Sequence, residues 1–368
     1  MLALSTEASV SLFMILERKT LLKRTIPFTI IGLLAFALYI IFFVNINEMI
    51  ENIRQTNITI FLVSVAASIF EMAFFALAWH YYLKPLSATV PFKKTFAYSY
   101  ASVFIDLLIP AESVSGEIVR IYFITHDGVD AGKAVASVVT QRIFNTLITV
   151  SALVIGTLNL LIWHFPFPIL IQSLILLVVV ATAIVLLFII VLCFKESWTQ
   201  KAIAKIIDVI ERISRRRWNL DVWRHEARRG ISAFHDSMRA FRASPEKLIL
   251  PIGFSVLSWF FGISIYYLIF TAMGYTLDWT TLVIVYCLII ALKSVPVGVP
   301  AEVGVTEIAM TVLFGAFGVP LNISAAATVL IRIVTAWFRF IIGFGAIQWI
   351  GFKTILGNEV SAQQKALG

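Results

Sequence analysis

Two glutamates and two arginines occupy repeated positions in a chain that otherwise holds few charged residues. Glu117 precedes Arg142 by 25 residues, and Glu307 precedes Arg332 by the same 25. A charged side chain inside an apolar segment is costly and marks a functional site by default. We expect each glutamate to meet its arginine. Two roles stay open for each pair: binding and coupling, or an ion pair that only fixes the structure.

Further residues near these pairs complete a candidate site with two possible chemistries. The residues predicted to bind substrate or couple transport are Glu112, Glu117, Arg120, Arg142, Glu302, Gly304, Glu307 and Arg332, and those predicted to shape the backbone are Pro110, Gly116 and Pro300. Arginines beside helix N-termini near Ser113 and Val303 favour a phosphate or another anionic head group. Poorly solvated glutamates favour proton carriage instead. The sequence leaves both chemistries open.

The composition indicates the environment in which these residues work. Of the 368 residues, 60% are hydrophobic and 14% are charged, whereas soluble domains have about 25% charged residues. This excludes a water-soluble enzyme, and segments that are apolar on all sides favour helices over a barrel. The sequence contains no nucleotide-binding, nucleophile-elbow or zinc motif. We therefore expect an all-α polytopic membrane protein that is not an enzyme and binds no cofactor or metal.

Apolar runs and basic residues together predict the orientation of the chain. Six runs are long enough to cross a bilayer core of about 30 Å: 25–44, 58–83, 135–163, 169–193, 248–273 and 323–350. Basic residues are concentrated at 18–24, 84–94 and 195–247. The positive-inside rule then places the N-terminal segment 1–24, the segment 195–247 and the tail 351–368 in the cytoplasm. The net charge of +8 therefore reflects insertion into the cell membrane, with no nucleic-acid partner.

The segment 195–247 carries thirteen Lys and Arg against seven acidic residues and has amphipathic helical periodicity. One predicted apolar face consists of Ile203, Ile206, Ile207, Ile210 and Ile213, and the other of Ile231, Phe234, Met238 and Phe241. Arg215, Arg216 and Arg217 end the first arm. We predict a helical hairpin that either lies on anionic head groups or connects the halves in solvent.

Two stretches cannot cross the bilayer once. Residues 95–110 make roughly 22 Å of helix, which is less than the bilayer core, and the chain must be cytoplasmic again by Lys133. The stretch 279–320 must likewise enter from outside and return there. We therefore predict two re-entrant hairpins, with turns at 110–117 and 300–307, whose irregular backbone lines a cavity.

The two hairpins belong to an internal repeat with an offset of 190 residues. Pro110-Ala111-Glu112 corresponds to Pro300-Ala301-Glu302, and the two Glu–Arg pairs correspond as well. Because the copies cross the membrane in opposite directions, we predict an inverted-topology repeat with six full spans and two hairpins. The first repeat is 25–163 and the second is 164–350, which includes the cytoplasmic segment 195–247.

The motifs Pro110…Gly116-Glu117-Ile118-Val119-Arg120, Gln141-Arg142 and Pro300…Gly304-Val305-Thr306-Glu307 resemble those of the lysylphosphatidylglycerol synthase transmembrane, or flippase-like, family. The family pattern has Gly-Glu-x-x-Arg, then Glu-Arg-x-x-x-Asp, then Pro…Gly-x-x-Glu. Gln141 and Asn145 stand here in place of the family's Glu and Asp. A proton or cation role is therefore not expected at these two positions.

The resemblance implies a lipid translocase without a synthase activity. Family members move aminoacylated phosphatidylglycerol between leaflets, or are fused to a glycosyltransferase that acts on a polyprenyl phosphate. The expected partners are anionic or polyprenyl-phosphate-linked lipids, and a separate lipid-modifying enzyme or glycosyltransferase. Two alternatives stay open. They are an ion- or proton-coupled transporter of a small anionic solute and a non-transporting partner of a lipid-modifying enzyme.

Overall fold

The computed structural model describes residues 46–109, 114–162, 169–213, 221–295 and 298–351, together with Leu38. The predicted first span, 25–44, lies outside the described residues except for Leu38. The segment 1–24 and the tail beyond Gly351 also lie outside them. In the described ranges every regular element is a helix, as an all-α membrane protein requires.

Twelve α-helices are described, and their bounds follow. They are α1 Ile46–Arg54, α2 Ile58–Leu83, α3 Phe92–Leu108, α4 Val114–His126, α5 Ala131–Ile162, α6 Ile169–Phe194, α7 Glu196–Ile213, α8 Asp221–Ala243, α9 Ile249–Ala272, α10 Trp279–Lys293, α11 Val305–Ala316 and α12 Leu321–Arg332. Helix α12 continues through a π-helical segment, Ile333–Trp337, to Gly351. Short 3₁₀ helices lie at Lys84–Leu86, Pro245–Leu248 and Pro300–Glu302.

Five of the described helices are long and apolar enough to cross a membrane. They are Ile58–Leu86, Ala131–Ile162, Ile171–Phe194, Pro245–Ala272 and Leu321–Gly351. A helix satisfies all its backbone hydrogen bonds internally, which hydrocarbon demands. These helices confirm five of the six predicted spans.

Helices α2 and α9 form the central pair and run antiparallel. The backbone N–H of Asn57, before α2, donates to the carbonyl of Ala272 at the end of α9 over 2.7 Å. Near the other end, the ring of Phe74 stacks on Phe254. Ser258 of α9 donates its hydroxyl proton to the carbonyl of Glu71 on α2 over 3.0 Å, which is a further close contact between the two helices.

Helices α3 and α4 are shorter and form an antiparallel hairpin. They contain 17 and 13 residues, so α3 extends about 25 Å at 1.5 Å per residue. Lys94, at the start of α3, pairs with Asp127, just after α4, at 2.7 Å. Tyr98 donates its hydroxyl proton to the same carboxylate. The two open ends of the hairpin are thereby joined.

The element bounds recur along the chain. Helices α2 and α9 begin at Ile58 and Ile249, α4 and α11 at Val114 and Val305, and α5 and α12 at Ala131 and Leu321. The starting residues lie 191, 191 and 190 positions apart, close to the offset of 190 that the sequence motifs share.

Helices α7 and α8 form the basic hairpin and pack against the ends of α5 and α6. Met238 and Phe241 are buried with Cys193 and Ala136, and Ile231 is buried as well. The predicted apolar face of the second arm is therefore confirmed. The predicted turn at Arg215, Arg216 and Arg217 lies outside the described residues.

Candidate functional site

The first predicted ion pair joins α4 to α5. Arg142 donates from Nη1 to Oε1 of Glu117 over 2.7 Å. Glu117 lies in the first turn of α4, where the N-terminal end of the helix dipole favours a negative charge. The two side chains keep 32% and 23% of their surface accessible. The predicted contact is confirmed, and the pair is partly accessible.

The second predicted ion pair also joins a glutamate to an arginine, but it is buried. Arg332 donates from Nε to Oε1 of Glu307 over 2.7 Å, and the side chains are only 3% and 7% exposed. This predicted contact is confirmed too. A guanidinium and a carboxylate buried together must satisfy their remaining hydrogen-bonding atoms locally.

Those remaining atoms fix the turn before α11. The second carboxylate oxygen of Glu307 accepts the backbone N–H of Gly304 over 2.7 Å, which is half of a capping box. Arg332 donates from Nη2 to the carbonyl of Ala301 over 2.6 Å. The buried pair therefore holds both sides of the turn.

The backbone of this turn adopts a conformation that few residues take. Ala301 and Glu302 have φ of 52° and 49°, and Gly304 has φ of 87°. Non-glycine residues rarely occupy this left-handed region, so the surrounding contacts must hold them there. Val303 is extended, and α11 begins at Val305. The predicted helix start near Val303 is thus displaced by two residues.

Glu302 lies in the same turn and is almost completely buried. Its Oε2 accepts the hydroxyl proton of Thr306 over 2.7 Å. Its Oε1 and the Nη1 of Arg332 have no hydrogen-bond partner among the described residues. Buried polar atoms that lack partners are costly, so these two atoms make the turn a candidate site. Pro300 is buried beside it.

The first turn is described only from Val114 onward, so the predicted residues Pro110 and Glu112 lie outside the described residues. Where the structure begins again, Asp106 of α3 accepts the backbone N–H of Gly116 over 2.6 Å and the hydroxyl proton of Ser115 over 2.5 Å. A Cβ at Gly116 would lie 2.2 Å from Oδ2 of Asp106. Glycine is therefore needed for α3 and α4 to approach this closely.

Arg120 is buried without a carboxylate within ion-pair distance in the described structure. Its Nη1 donates to Oε1 of Gln141 over 2.7 Å. Its guanidinium lies 5.0 Å and 5.2 Å from the ring centres of Phe75 and Trp79. Its Nε has no hydrogen-bond partner in the part of the chain that the structure describes. Aromatic faces and an amide stabilise the buried cation, and the carboxylates of Glu117 and Asp106 act on it electrostatically from beyond ion-pair distance.

A third ion pair was not predicted as a contact. Arg339 pairs with Glu71 of α2 and also donates from Nε to the hydroxyl of Ser68 over 2.9 Å. Each of the two is a charged residue in an apolar span, so the sequence marks each of them as unusual. Their spacing does not predict the contact, because they lie 268 positions apart.

The two halves meet at the second turn. Ala301 and Val303 pack with Leu107, at the end of α3, and with Ala336 of the last helix. The turn held by Glu307 and Arg332 therefore touches the helix whose Asp106 caps α4. Among the described residues, no cluster of His, Cys, Asp and Glu has the makings of a metal site.

Comparison with known proteins relates most of the chain to one family. The lysylphosphatidylglycerol synthase TM region family matches residues 29–343. A UPF0104 membrane protein of Pyrococcus horikoshii is 22% identical over 83% of this chain and 91% of its own length. One from Methanothermobacter thermautotrophicus is 24% identical over 88% and 94%. One from Methanocaldococcus jannaschii is 27% identical over 84% and 90%. The chain thus belongs to the lysylphosphatidylglycerol synthase transmembrane-region family.

Proposed function

We propose that this protein is a lipid translocase that moves an anionic or glycosylated head group between leaflets. The proposal rests on two Glu–Arg ion pairs, in each of which the glutamate lies in the first turn of a helix. One ion pair is accessible and the other is buried. In inverted-repeat transporters one repeat moves against the other around a fixed site, and a difference in accessibility between equivalent contacts supports such a mechanism. Membrane-embedded charges of this kind mark a pathway for polar groups.

The architecture behind the proposal is an inverted-topology repeat of the halves 25–163 and 164–350. Three features support it: the antiparallel contact of α2 with α9, the recurrence of helix starts at 190 or 191 residues, and the short α3–α4 hairpin. In this arrangement α3–α4 and α10–α11 are re-entrant hairpins. The head group would bind where their turns approach each other.

The chemistry of the site suits a phosphate. Arg120 presents a buried guanidinium that makes no direct contact with a carboxylate among the described residues, and Arg142 holds its glutamate in a partly accessible pair. An arriving phosphate would compete with Glu117 for Arg142, because both offer oxygens to the same planar donors. The acyl chains would stay in the bilayer while the head group passes. The step forms and breaks no covalent bond, so the proposal requires neither an enzyme activity nor a cofactor.

Orientation and partners complete the proposal. The distribution of Lys and Arg supports a multi-pass protein of the cell membrane with both termini and α7–α8 in the cytoplasm. Movement would run down the lipid gradient or be coupled to an ion or proton through Glu302 and Glu307. A separate lipid-modifying enzyme or glycosyltransferase would supply or consume the lipid.

The test is lipid movement in proteoliposomes. Fluorescent phosphatidylglycerol, polyprenyl phosphate and phosphatidylcholine would be followed by dithionite quenching of the outer leaflet. We expect protein-dependent movement of the anionic lipids, and its loss in Glu117→Gln and Glu307→Gln. Glu246→Gln, an exposed carboxylate in the cytoplasmic segment, should keep the wild-type rate.

Each outcome bears on the proposal. Equal movement in the wild type and both variants would remove the two Glu–Arg pairs from the mechanism. Failure to move any of the three lipids would contradict a lipid translocase and favour a solute transporter or a scaffold. Equal movement of phosphatidylcholine would contradict recognition of an anionic head group.

A further inference from the structure

A cavity lies where the basic hairpin α7–α8 meets the ends of α5 and α6. Its volume is about 350 Å³, and its walls include Val135 and Val139 of α5, Ile189 and Cys193 of α6, Ile203 of α7 and Phe234 of α8. We propose that this cavity holds a hydrocarbon chain of a membrane lipid with an anionic head group. The proposal concerns a resident lipid and does not depend on the proposed translocation.

The walls exclude water as the occupant. Thr199 is a polar residue in them, and its hydroxyl already donates to the carbonyl of Leu192 over 2.7 Å. An ordered water needs two or more polar partners, which these apolar walls do not offer. The partly open space of about 350 Å³ is far larger than the gaps of a packed interior, so it has room for part of a hydrocarbon chain. An apolar guest is the occupant that fits.

The acyl chains of the surrounding membrane lipids are the hydrocarbon closest to the cavity. The lining residues Ile189 and Cys193 belong to the last turns of α6, where Leu187, Phe188 and Phe194 are exposed. In a membrane-spanning helix, exposed residues of this type face lipid. The nearest apolar molecule to the cavity is therefore an acyl chain of the surrounding leaflet.

The charge around the cavity selects an anionic head group. Lysines lie beside the lining residues of three walls: Lys133 on α5, Lys195 after α6 and Lys201 on α7. Two acids, Asp130 and Glu196, lie beside these lysines in the sequence, so the lysines outnumber them. Asp130 caps α5 by accepting the backbone N–H of Gly132 over 2.8 Å, and Glu196 lies 3.9 Å from Arg239. Basic residues at a membrane surface attract anionic lipids.

The cavity is fixed in shape by a close contact of the backbones of α5 and α8. A Cβ at Gly132 would lie 2.6 Å from the carbonyl oxygen of Gly230 and 2.5 Å from Cβ of Ala233. Only glycine allows the helices to approach this closely. Because this contact sets the distance between the walls, we expect the cavity to persist as a binding site.

The test is photocrosslinking in nanodiscs of phosphatidylcholine that contain phosphatidylglycerol with a diazirine in one acyl chain. Irradiation should attach this lipid to wild-type peptides that contain Val139, Ile189 or Phe234, as read by mass spectrometry. Val139→Phe fills the cavity and should lose these adducts. Val185→Phe, the same change at a residue of α6 that is 57% exposed, should keep them.

Two further measurements make the result decisive. Ile203→Phe fills the cavity from the cytoplasmic wall and should also lose the adducts, which covers the case in which Val139→Phe fails to fold. Replacing Lys133 and Lys195 by Gln should weaken labelling by roughly fivefold for each charge removed. Absence of wild-type adducts at these peptides, or adducts that survive both filling variants, would overturn the proposal. Equal labelling by a phosphatidylcholine diazirine would overturn the anionic head group.

Discussion

The same two side chains form an ion pair twice in this protein, and the surroundings give each pair a different property. Glu117 and Arg142 lie at an accessible contact, whereas Glu307 and Arg332 are buried and make further hydrogen bonds to the turn. An accessible pair contributes little to stability. A buried pair is costly to break, because removing one partner strands the other charge. The second pair therefore stabilises the turn, whatever else it does.

We predict that Arg332→Gln destabilises the protein far more than Arg142→Gln does. The expected loss is roughly 3–5 kcal/mol for Arg332→Gln and about 1 kcal/mol or less for Arg142→Gln. Unfolding by denaturant in mixed micelles measures both. The double variant Glu307→Gln with Arg332→Gln should recover part of the loss, because it leaves no unpaired charge. Equal losses for the two single variants would contradict this difference.

At the scale of elements, the cytoplasmic hairpin is attached to the membrane helices through a buried histidine. His235 of α8 is buried and lies near the backbone of Cys193 at the end of α6. Burial lowers the pKa of His235 below its ordinary value of 6.5, and nearby Arg239 lowers it further, while Glu196 and Asp236 act in the opposite direction. The neutral ring is therefore the form that the packed hairpin favours.

We predict that acid loosens α8 from α6. A histidine whose pKa is lower in the folded state opposes protonation, so its contribution to packing is present above about pH 6.5 and is lost as the pH falls. Hydrogen exchange of residues 231–243 should be faster at pH 5.5 than at pH 7.5, after correction for the intrinsic rate. In His235→Gln this extra pH dependence should disappear. Persistence of the same dependence in the variant would rule out His235 as its cause.

At the scale of the whole molecule, a polar contact ties the beginning of the fold to its end. Glu71 of α2 meets Arg339 of the last helix, and Ser258 of α9 donates to the carbonyl of Glu71 over 3.0 Å. These contacts join three helices that cross the membrane. In hydrocarbon a polar contact between helices has no water to compete with it, so it fixes how the helices associate.

We predict that this contact requires opposite charges and that it re-forms when the acidic and the basic side chain exchange positions. Glu71→Arg places two like charges together and should reduce the yield of monodisperse protein. Adding Arg339→Glu should restore most of the yield, because the pair is re-formed in reverse. Size-exclusion chromatography of fluorescently tagged protein measures this. Failure of the exchange to restore the yield would show that the side chains act separately.

The sequence by itself determined which segments form helices that cross the membrane and that the two halves of the chain repeat each other. Spans such as 58–83 and 248–273 follow from apolar length alone, because the bilayer selects helices by transfer of each residue to hydrocarbon. The spacing of 25 residues between Glu117 and Arg142 predicted a contact that the structure contains, since a helical hairpin brings nearby segments together. The repeat predicted the same contact for Glu307 and Arg332.

The tertiary structure alone decided how distant segments meet and how open each meeting point is. The contact of Glu71 with Arg339 and the position of Arg120 against Phe75 depend on helices that are neighbours only after packing. The left-handed backbone at Ala301 is likewise imposed by Arg332, which lies 31 positions away. How deeply a residue is buried depends on all the elements that pack around it. The Glu–Arg motif, which occurs twice, can therefore be buried in one half and accessible in the other.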